Sequence, residues 1–180
     1  PGTFNLVDQT VAMTITTDTL NNISCYNGND GFVNVAISGG VAPYTYAWSN
    51  GGSGSVLANI GSGVYTVVVT DNNGCLDSTS ITLTAPSQAL DVVTLASSNL
   101  SCYGDSTATI TVSSSGAQGS VSYTWSNGAT GQQLTGLGAG TYVVTATDGE
   151  GCTSNETISI TQPLAPLSTS LVSATRDFCN

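Results

Sequence analysis

The fold is decided by residues 61–75, which read Gly61-Ser-Gly-Val-Tyr-Thr-Val-Val-Val-Thr-Asp-Asn-Asn-Gly-Cys75. Side chains alternate between the two faces of a β-strand, so Tyr65, Val67 and Val69 share one face. Glycine and polar residues that favour tight turns bound the segment on both sides. The pattern predicts a short, half-buried strand followed by a turn that carries a cysteine.

The same pattern returns 77 residues later (152 − 75 = 77), in residues 138–152. They read Gly138-Ala-Gly-Thr-Tyr-Val-Val-Thr-Ala-Thr-Asp-Gly-Glu-Gly-Cys152. The same spacing relates further pairs, namely Cys25 and Cys102, Trp48 and Trp125, and Pro86 and Pro163. It also leads from Cys102 to Cys179. Self-similarity at a fixed period without gaps predicts a tandem repeat.

The repeat spacing divides the chain into four segments. Residues 1–9 are expected to end a preceding repeat or linker, and residues 165–180 to form the first strand of a truncated third repeat. Residues 10–87 and 88–164 are the two full Ig-like repeats. Their junctions contain Pro86 and Pro163, and proline restricts bending more than a Gly/Ser linker would.

Period-two alternation within each repeat predicts about six or seven short strands between Gly- and Asn-rich turns, which is typical of a small β-sandwich. We therefore predict an all-β protein of tandem immunoglobulin-like β-sandwich domains arranged end to end. Trp48 and Trp125 are expected in the core, as the third-strand tryptophan of such sandwiches usually is. Tyr65 and Tyr142 have the spacing of a tyrosine corner.

The charge balance excludes several classes of function. Arg176 is the only basic residue among 180, against eleven Asp and Glu, and the net charge is −10. Such a chain repels phosphate backbones and anionic lipid headgroups, so neither nucleic acid nor direct membrane insertion is expected. No apolar run approaches the roughly 20 residues that span a bilayer. A surface with almost no Lys or Arg offers little to trypsin-like proteases, which favours an extracellular location.

Catalysis is not expected either. The chain has no His and no Lys, so the usual general bases are missing and no Ser-His-Asp or Cys-His set can form. The acidic residues are mostly isolated in turns. We predict that the protein is not an enzyme and needs no cofactor.

The five cysteines predict disulfides, since an exported protein meets an oxidising environment. Pairing within a repeat would give Cys25–Cys75 and Cys102–Cys152, with Cys179 left for a partner beyond the chain. Pairing between repeats would give Cys25–Cys152, if the first turn and the last hairpin lie at opposite poles of a sandwich. Free thiols are the third possibility. Cα–Cα distances of roughly 4.4–6.8 Å would distinguish them.

Two further kinds of site are weaker candidates. Asp30, Asp71, Asp148 and Glu150 lie in oxygen-rich turns that could hold calcium. However, Asp30 is replaced by Thr107 in the second copy, and Asx turns explain such residues without a metal. No metal is therefore expected.

An aromatic row on the third strand is the candidate for stacking against a sugar. It consists of Tyr44, Tyr46 and Trp48, which share one face. Their alternation with Thr45 and Ala47 favours packing in the core instead.

Both copies resemble the SprB repeat. The first copy carries Cys25-Tyr-Asn-Gly, Gly39-Gly-Val-Ala-Pro-Tyr-Thr-Tyr-Ala-Trp-Ser-Asn-Gly51 and the stretch that ends at Cys75. The second carries Cys102-Tyr-Gly, Tyr123-Thr-Trp-Ser-Asn-Gly128 and the stretch that ends at Cys152. It departs from the pattern at Ala117, Ser120 and Val121, where the first copy has Gly40, Pro43 and Tyr44.

The resemblance implies a long cell-surface adhesin of gliding bacteria, exported by the type IX secretion system. Three Asp-Ser/Thr sites look like the O-glycosylation signal of the same bacterial group, with Thr19, Ser78 and Ser106 as the acceptors. The leading hypothesis is a non-enzymatic structural repeat of an extracellular adhesin filament or stalk, in cell-surface attachment and gliding motility. The alternative is a carbohydrate- or surface-binding Ig-like module, and an accessory domain of a secreted hydrolase is a third. Expected partners are neighbouring repeats of the chain, with surface polysaccharide as a candidate.

Overall fold

The structure is a computed structural model, and it describes residues 11–164. These residues form twelve β-strands and no helix. They divide into two compact units. Of the described residues, the first unit contains those up to Leu90, together with Gly116–Ser120 and Asp148–Cys152. The second contains Asp91–Ser115, Val121–Thr147 and residues 153–164. The segments expected at residues 1–9 and 165–180 lie outside the described residues, and the repeat boundaries stay a prediction.

The first unit contains six antiparallel strands in two sheets. Their bounds are β1 Thr14–Asn21, β2 Gly31–Ser38, β3 Thr45–Trp48, β4 Val56–Ile60, β5 Gly63–Thr70 and β6 Leu76–Leu83. One sheet has the order β1-β2-β4 and the other the order β3-β5-β6. The chain therefore changes sheet between β2 and β3, and again on either side of β4.

The second unit repeats this topology. Its strands are β7 Asp91–Ser97, β8 Ala108–Ser115, β9 Ser122–Trp125, β10 Gln133–Leu137, β11 Gly140–Thr147 and β12 Thr153–Ile160. The sheets have the orders β7-β8-β10 and β9-β11-β12, which match those of the first unit strand by strand. The all-β class predicted from the alternation is confirmed, with six strands in each unit.

The core of the first unit lies between its two sheets. The buried apolar side chains of this cluster are Ile23, Val33, Val35, Trp48, Leu57, Val67, Val69, Ile81 and Leu83. They come from both sheets, and those on β5 are every second residue, as the period-two pattern requires. Hydrophobic burial between the sheets is thus what makes the unit a sandwich.

Both tryptophans are buried, as expected from their position on the third strand. Trp48 is 5% exposed and Trp125 is 2% exposed. The Trp48 Nε1–H donates to the Gly54 carbonyl at 2.7 Å, and the Trp125 Nε1–H donates to the Gly131 carbonyl at 2.9 Å. Each indole therefore satisfies its one polar atom within its own unit while its rings fill the core.

The two corner tyrosines are half-buried and bond to the backbone. The Tyr65 hydroxyl donates to the Gly61 carbonyl at 3.0 Å, and the Tyr142 hydroxyl donates to the Gly138 carbonyl at 3.1 Å. Each bond spans the turn that leads from one sheet into the next strand of the other. The spacing Gly-x-x-x-Tyr is therefore a local device that fixes this crossover.

Irregularities of the backbone also recur at the 77-residue spacing. The pairing of β1 with β2 skips Asp18, and the pairing of β7 with β8 skips Leu95. Asn59 and Gly136 both have positive φ, at 55° and 69°. Because bulges and left-handed residues interrupt regular pairing, their recurrence shows that the repeat extends to backbone detail.

The loop after β2 differs between copies, at the position where the second copy departs from the pattern. In the first unit, the Tyr44 hydroxyl donates to the Gly39 carbonyl at 2.7 Å. Val121 replaces this tyrosine in the second copy and has no polar group to offer. There, the Tyr123 hydroxyl lies 2.7 Å from the Ser114 hydroxyl instead.

Two adjacent valines on β5 test the sandwich core. Val67 is fully buried, whereas Val68 points to the other face and is 37% exposed. We expect Val67→Ala to lower the free energy of unfolding by about 2 kcal/mol, because it removes two buried methyl groups and leaves a cavity. We expect Val68→Ala, the matched control with the same chemistry, to change it by less than about 0.5 kcal/mol. Native-state amide hydrogen exchange of β5 measures both, and equal effects would contradict the assigned faces.

Candidate functional site: the cysteine-bearing turns

The β5–β6 turn of the first repeat is organised by one buried carboxylate. Asp71 Oδ1 accepts from the backbone N–H of Asn73 at 2.9 Å and of Cys75 at 2.8 Å. Asp71 Oδ2 accepts from the N–H of Val41 at 3.0 Å. The side chain therefore ties the hairpin of one sheet to the loop that leaves β2 in the other sheet.

The β11–β12 turn of the second repeat has the same arrangement. Asp148 Oδ1 accepts from the N–H of Glu150 at 3.1 Å and of Cys152 at 2.9 Å. Asp148 Oδ2 accepts from the N–H of Gln118 at 2.8 Å. Asp71 and Asp148 are the two buried polar residues of the described chain, and backbone donors satisfy both.

These donors hold the pKa of both carboxyl groups below the ordinary value of 3.8. For Asp71 the strongest influence is the Cys75 N–H, and for Asp148 it is the Gln118 N–H. Burial acts in the opposite direction on both groups but is the weaker influence. Asp71 and Asp148, two of the four residues considered as calcium ligands, thus act as acceptors of backbone N–H groups in their turns, whereas Glu150 is exposed.

Asp30 is the third carboxylate considered for calcium. It accepts from the backbone N–H of Ser24 at 3.2 Å and is also bonded to the Ser24 hydroxyl. The Ser24 hydroxyl bond lowers the pKa of Asp30. Among residues 11–164, no three His, Cys, Asp or Glu side chains lie together in a group that could hold a metal ion.

The structure joins Cys25 to Cys152 in a disulfide, with a Cα–Cα distance of 5.7 Å. Both residues belong to the first compact unit, although Cys25 lies in the first sequence repeat and Cys152 in the second. Of the pairings that the sequence left open, this is the one between repeats. Cys75 and Cys102 are unbonded and exposed, and Cys179 lies outside the described residues.

Cys25 and Cys102, the cysteines of the turn before the second strand of each repeat, are called the first-turn cysteines. Each follows a segment that is hydrogen-bonded to the residue after the last strand of the same repeat. Before Cys25, the Asn22 Oδ1 accepts from the Thr84 N–H at 2.9 Å, and the Ile23 N–H donates to the Thr84 carbonyl at 3.0 Å. Two residues after this cysteine, Asn27 has a φ of 56°. This pair of bonds to Thr84, called the asparagine bracket below, was not predicted, although the 77-residue spacing of Asn22 and Asn99 was a sequence signal for it.

The aromatic row divides between the core and its edge. Trp48 is buried, and Tyr44 and Tyr46 are half-buried against the same core cluster. Among residues 11–164, the exposed aromatic side chains are instead those that follow Cys25 and Cys102, namely Tyr26 at 46% and Tyr103 at 51%. Their common position after Cys25 and Cys102 was the available sequence signal.

The three candidate glycosylation hydroxyls are accessible. Thr19, Ser78 and Ser106 are all exposed. The Thr19 hydroxyl lies 3.3 Å from Asp18 Oδ2, while the carboxylates of Asp77 and Asp105 accept from the backbone N–H of the residue that follows each. Exposure permits modification, which stays a prediction.

Replacement of the turn carboxylate by its neutral isostere tests the role of Asp148. In Asp148→Asn, either orientation of the amide places an NH₂ donor against a backbone donor, so we expect faster exchange of the Gln118, Glu150 and Cys152 amides. The matched variant Asp71→Asn should instead release the Val41, Asn73 and Cys75 amides. Amide hydrogen exchange followed by NMR distinguishes the two patterns, and unchanged exchange at all six amides would contradict the assignment.

The same carboxylates predict an acid-sensitive stability. Their folded-state pKa is lowered, so the charged form stabilises the folded turns above the unfolded value of about 3.8. This contribution is lost as the pH falls through the folded pKa. We expect the urea midpoint to drop between about pH 6 and pH 2.5, and to drop less in the Asp71→Asn, Asp148→Asn double variant. Parallel pH profiles for the two proteins would contradict this.

The fold is similar to that of solved structures with low sequence identity. The three N-terminal domains of the bacteriophage RB49 highly immunogenic outer capsid protein (Hoc) match with a TM-score of 0.50 at 16% identity, over 84% of this chain and 59% of that chain. A C-terminal 282-residue fragment of intimin, in complex with the intimin-binding domain of the translocated intimin receptor, matches at 0.39 and 12%, over 84% and 64%. DIP-gamma IG1+IG2 matches at 0.36 and 11%, over 82% and 97%.

The likeness to the capsid protein, at a TM-score of 0.50, concerns the fold alone, and the chain spans less than two thirds of the first two structures. The predicted Ig-like β-sandwich class is confirmed at that level. A search of curated proteins found no match. Residues 11–164 contain no helix long and apolar enough to cross a membrane.

The family comparison bears on the repeat itself. The model of the SprB repeat matches residues 17–53 and residues 94–130. The two matches are 77 residues apart, which is the spacing found in the sequence, and each includes a first-turn cysteine and a buried tryptophan. The resemblance drawn from the motifs is therefore confirmed, since two stretches of the chain match the SprB repeat.

Proposed function

We propose that this chain is a structural segment of a bacterial cell-surface adhesin, in which each SprB repeat acts as a non-enzymatic spacer. SprB repeats occur in cell-surface proteins, which supports an extracellular adhesin-type repeat. Cell-surface attachment, gliding motility, a filament or stalk and export by the type IX system are the finer parts of the proposal. They derive from the family resemblance.

One observation carries the spacer role: most of the polar side chains that recur at the 77-residue spacing are bonded within their own repeat. The tryptophan Nε1–H, the corner tyrosine hydroxyl, the turn aspartate and the bracket asparagine all bond to backbone groups. Their counterparts in the second copy make the same bonds. The polar residues that recur in both copies therefore mainly stabilise the fold of the repeat.

Residues available to an external ligand recur much less. Asp30 and Pro43, which are exposed in the first copy, correspond to Thr107 and Ser120 of the second. The tryptophans, which were the best candidates for sugar stacking, are buried in both units. The exposed pair Tyr26 and Tyr103 is the remaining feature that favours the carbohydrate-binding alternative, because aromatic rings on a surface can stack on a sugar.

Competition for cell attachment separates the two functions. The purified 180-residue chain is added in excess to cells that produce the parent protein, and attachment to a polysaccharide-coated surface is counted. A spacer leaves attachment unchanged, because the chain occupies no receptor. A binding module lowers attachment, and the Tyr26→Ser, Tyr103→Ser double variant would then lose that effect. Inhibition by the unmodified chain contradicts the spacer role.

A repeat exchange in the parent protein supplies the matched control. Residues 11–87 and 88–164 have equal length, so a second copy of 88–164 can replace 11–87 without changing the length or the family of the segment. We expect attachment to be retained in this variant, because a spacer is defined by its fold and length. Loss of attachment in a variant that is exported normally would contradict the proposal.

A further inference from the structure

Two exposed thiols remain after the disulfide of the described chain is formed. Cys75 lies in the β5–β6 turn, and Cys102 lies in the turn before β8. Their positions are not arbitrary with respect to the bonded pair. Cys75 corresponds to Cys152 and Cys102 corresponds to Cys25 at the 77-residue spacing, so each free thiol is the repeat equivalent of a bonded one.

The turn that carries the free Cys75 matches the turn that carries the bonded Cys152. The three carboxylate bonds of Asp71 and Asp148 correspond one to one. Three backbone bonds also correspond, and they include the N–H of each aspartate donating to the cysteine carbonyl at 3.0 Å in both turns. Corresponding distances differ by at most 0.2 Å. The backbone that carries the free Cys75 therefore makes the same hydrogen bonds as the backbone that carries the bonded Cys152.

The segment that precedes the free Cys102 likewise matches the segment that precedes the bonded Cys25. The Asn99 Oδ1 accepts from the Thr161 N–H at 2.9 Å, and the Leu100 N–H donates to the Thr161 carbonyl at 2.9 Å. Asn22, Ile23 and Thr84 make the equivalent bonds before Cys25. Two residues after each cysteine the backbone has positive φ, 56° in the first turn and 75° in the second.

We propose that Cys102 and Cys75 form the Cys25–Cys152 type of disulfide with further copies of this repeat. Cys102, which is equivalent to Cys25, bonds to the equivalent of Cys152 in one further copy. Cys75, which is equivalent to Cys152, bonds to the equivalent of Cys25 in another copy. The bond thus joins two unlike cysteines, and successive repeats are linked by the same covalent connection. This inference rests on the proposed role of the chain as a repeat segment of a longer surface protein.

The chemistry is ordinary thiol–disulfide exchange with a small-molecule or protein disulfide as the oxidant. One cysteine thiolate attacks the donor disulfide, which forms a mixed disulfide and releases one donor thiolate. The second cysteine thiolate attacks the mixed disulfide, which forms the Cys–Cys bond and releases the other donor thiolate. The two cysteines lose two electrons to the donor, and their two protons end on the two donor thiols.

The test uses the full 180-residue chain and a second copy of it as the partner. Every variant carries Cys179→Ser, so that only Cys75 and Cys102 can pair between molecules. One variant adds Cys75→Ser and retains Cys102, and the other adds Cys102→Ser and retains Cys75. Each is incubated alone and in an equimolar mixture with oxidised and reduced glutathione. Cys75 and Cys102 are both exposed, so serine at either position is expected to leave the fold intact.

Non-reducing mass measurement and peptic mapping identify the products, since Arg176 is the only basic residue and trypsin would leave the chain nearly intact. The Cys25–Cys152 bond should persist in every sample as the internal control. We expect the mixture to give a Cys102–Cys75 dimer about tenfold more abundant than either like-with-like dimer. Each variant alone should stay monomeric.

Two results would overturn the proposal. One is a mixture whose unlike dimer exceeds each like dimer by no more than the about twofold ratio of random pairing, since that indicates no preference. The other is a mixture without any disulfide-linked dimer. Neither result affects the attachment experiments, which do not depend on this bond, so failure here and failure of the spacer role remain distinguishable.

Discussion

The carboxylate of the β5–β6 turn connects the two sheets of the repeat where hydrophobic burial alone would leave them free to slide. Asp71 bonds to the hairpin of one sheet and to the loop that leaves the other, and Asp148 does the same in the second repeat. Hydrophobic packing is non-directional, whereas three hydrogen bonds to one buried charge fix position and orientation. The hairpin, the loop after β2 and the cysteine at the turn are consequently one rigid assembly.

This arrangement explains how a chain with few charges builds a specific fold. Only 7% of the residues are charged, so ion pairs contribute little and hydroxyl and amide groups cover the surface. Within the described residues, every buried side-chain nitrogen or oxygen has a hydrogen-bond partner. The polar atoms of the tryptophans and corner tyrosines bond to turn carbonyls nearby in sequence. Local bonds of this kind need no distant partner, and a 77-residue unit that satisfies itself can be copied along a chain.

The cysteines differ from the other recurring residues in that they bond between sequence repeats. All the other recurring polar groups discussed above are bonded within their own repeat, but the cysteine pair joins residues 127 positions apart in the sequence. The environments on the two sides of the bond differ, since one cysteine follows an asparagine bracket and the other is held by a carboxylate. A linkage between unlike ends has a direction, and a directional linkage can be continued from repeat to repeat. This is the physical reason why the two free thiols matter.

The sequence by itself determined the repeat, the strands and most of the core. Alternation and turn residues are local signals, so the sequence alone places Val67 on a buried face, Trp48 in the core and Tyr65 at a corner. The tertiary structure alone decided which cysteines pair and what the turn aspartates do. Spacing along the chain makes Cys25–Cys75 and Cys25–Cys152 equally acceptable, because a disulfide requires proximity of Cα atoms in space. Likewise, Asp71 and Asp148 are carboxylates in oxygen-rich turns, which suggested calcium ligands. Only the fold shows that backbone N–H donors from two separate loops surround each of them.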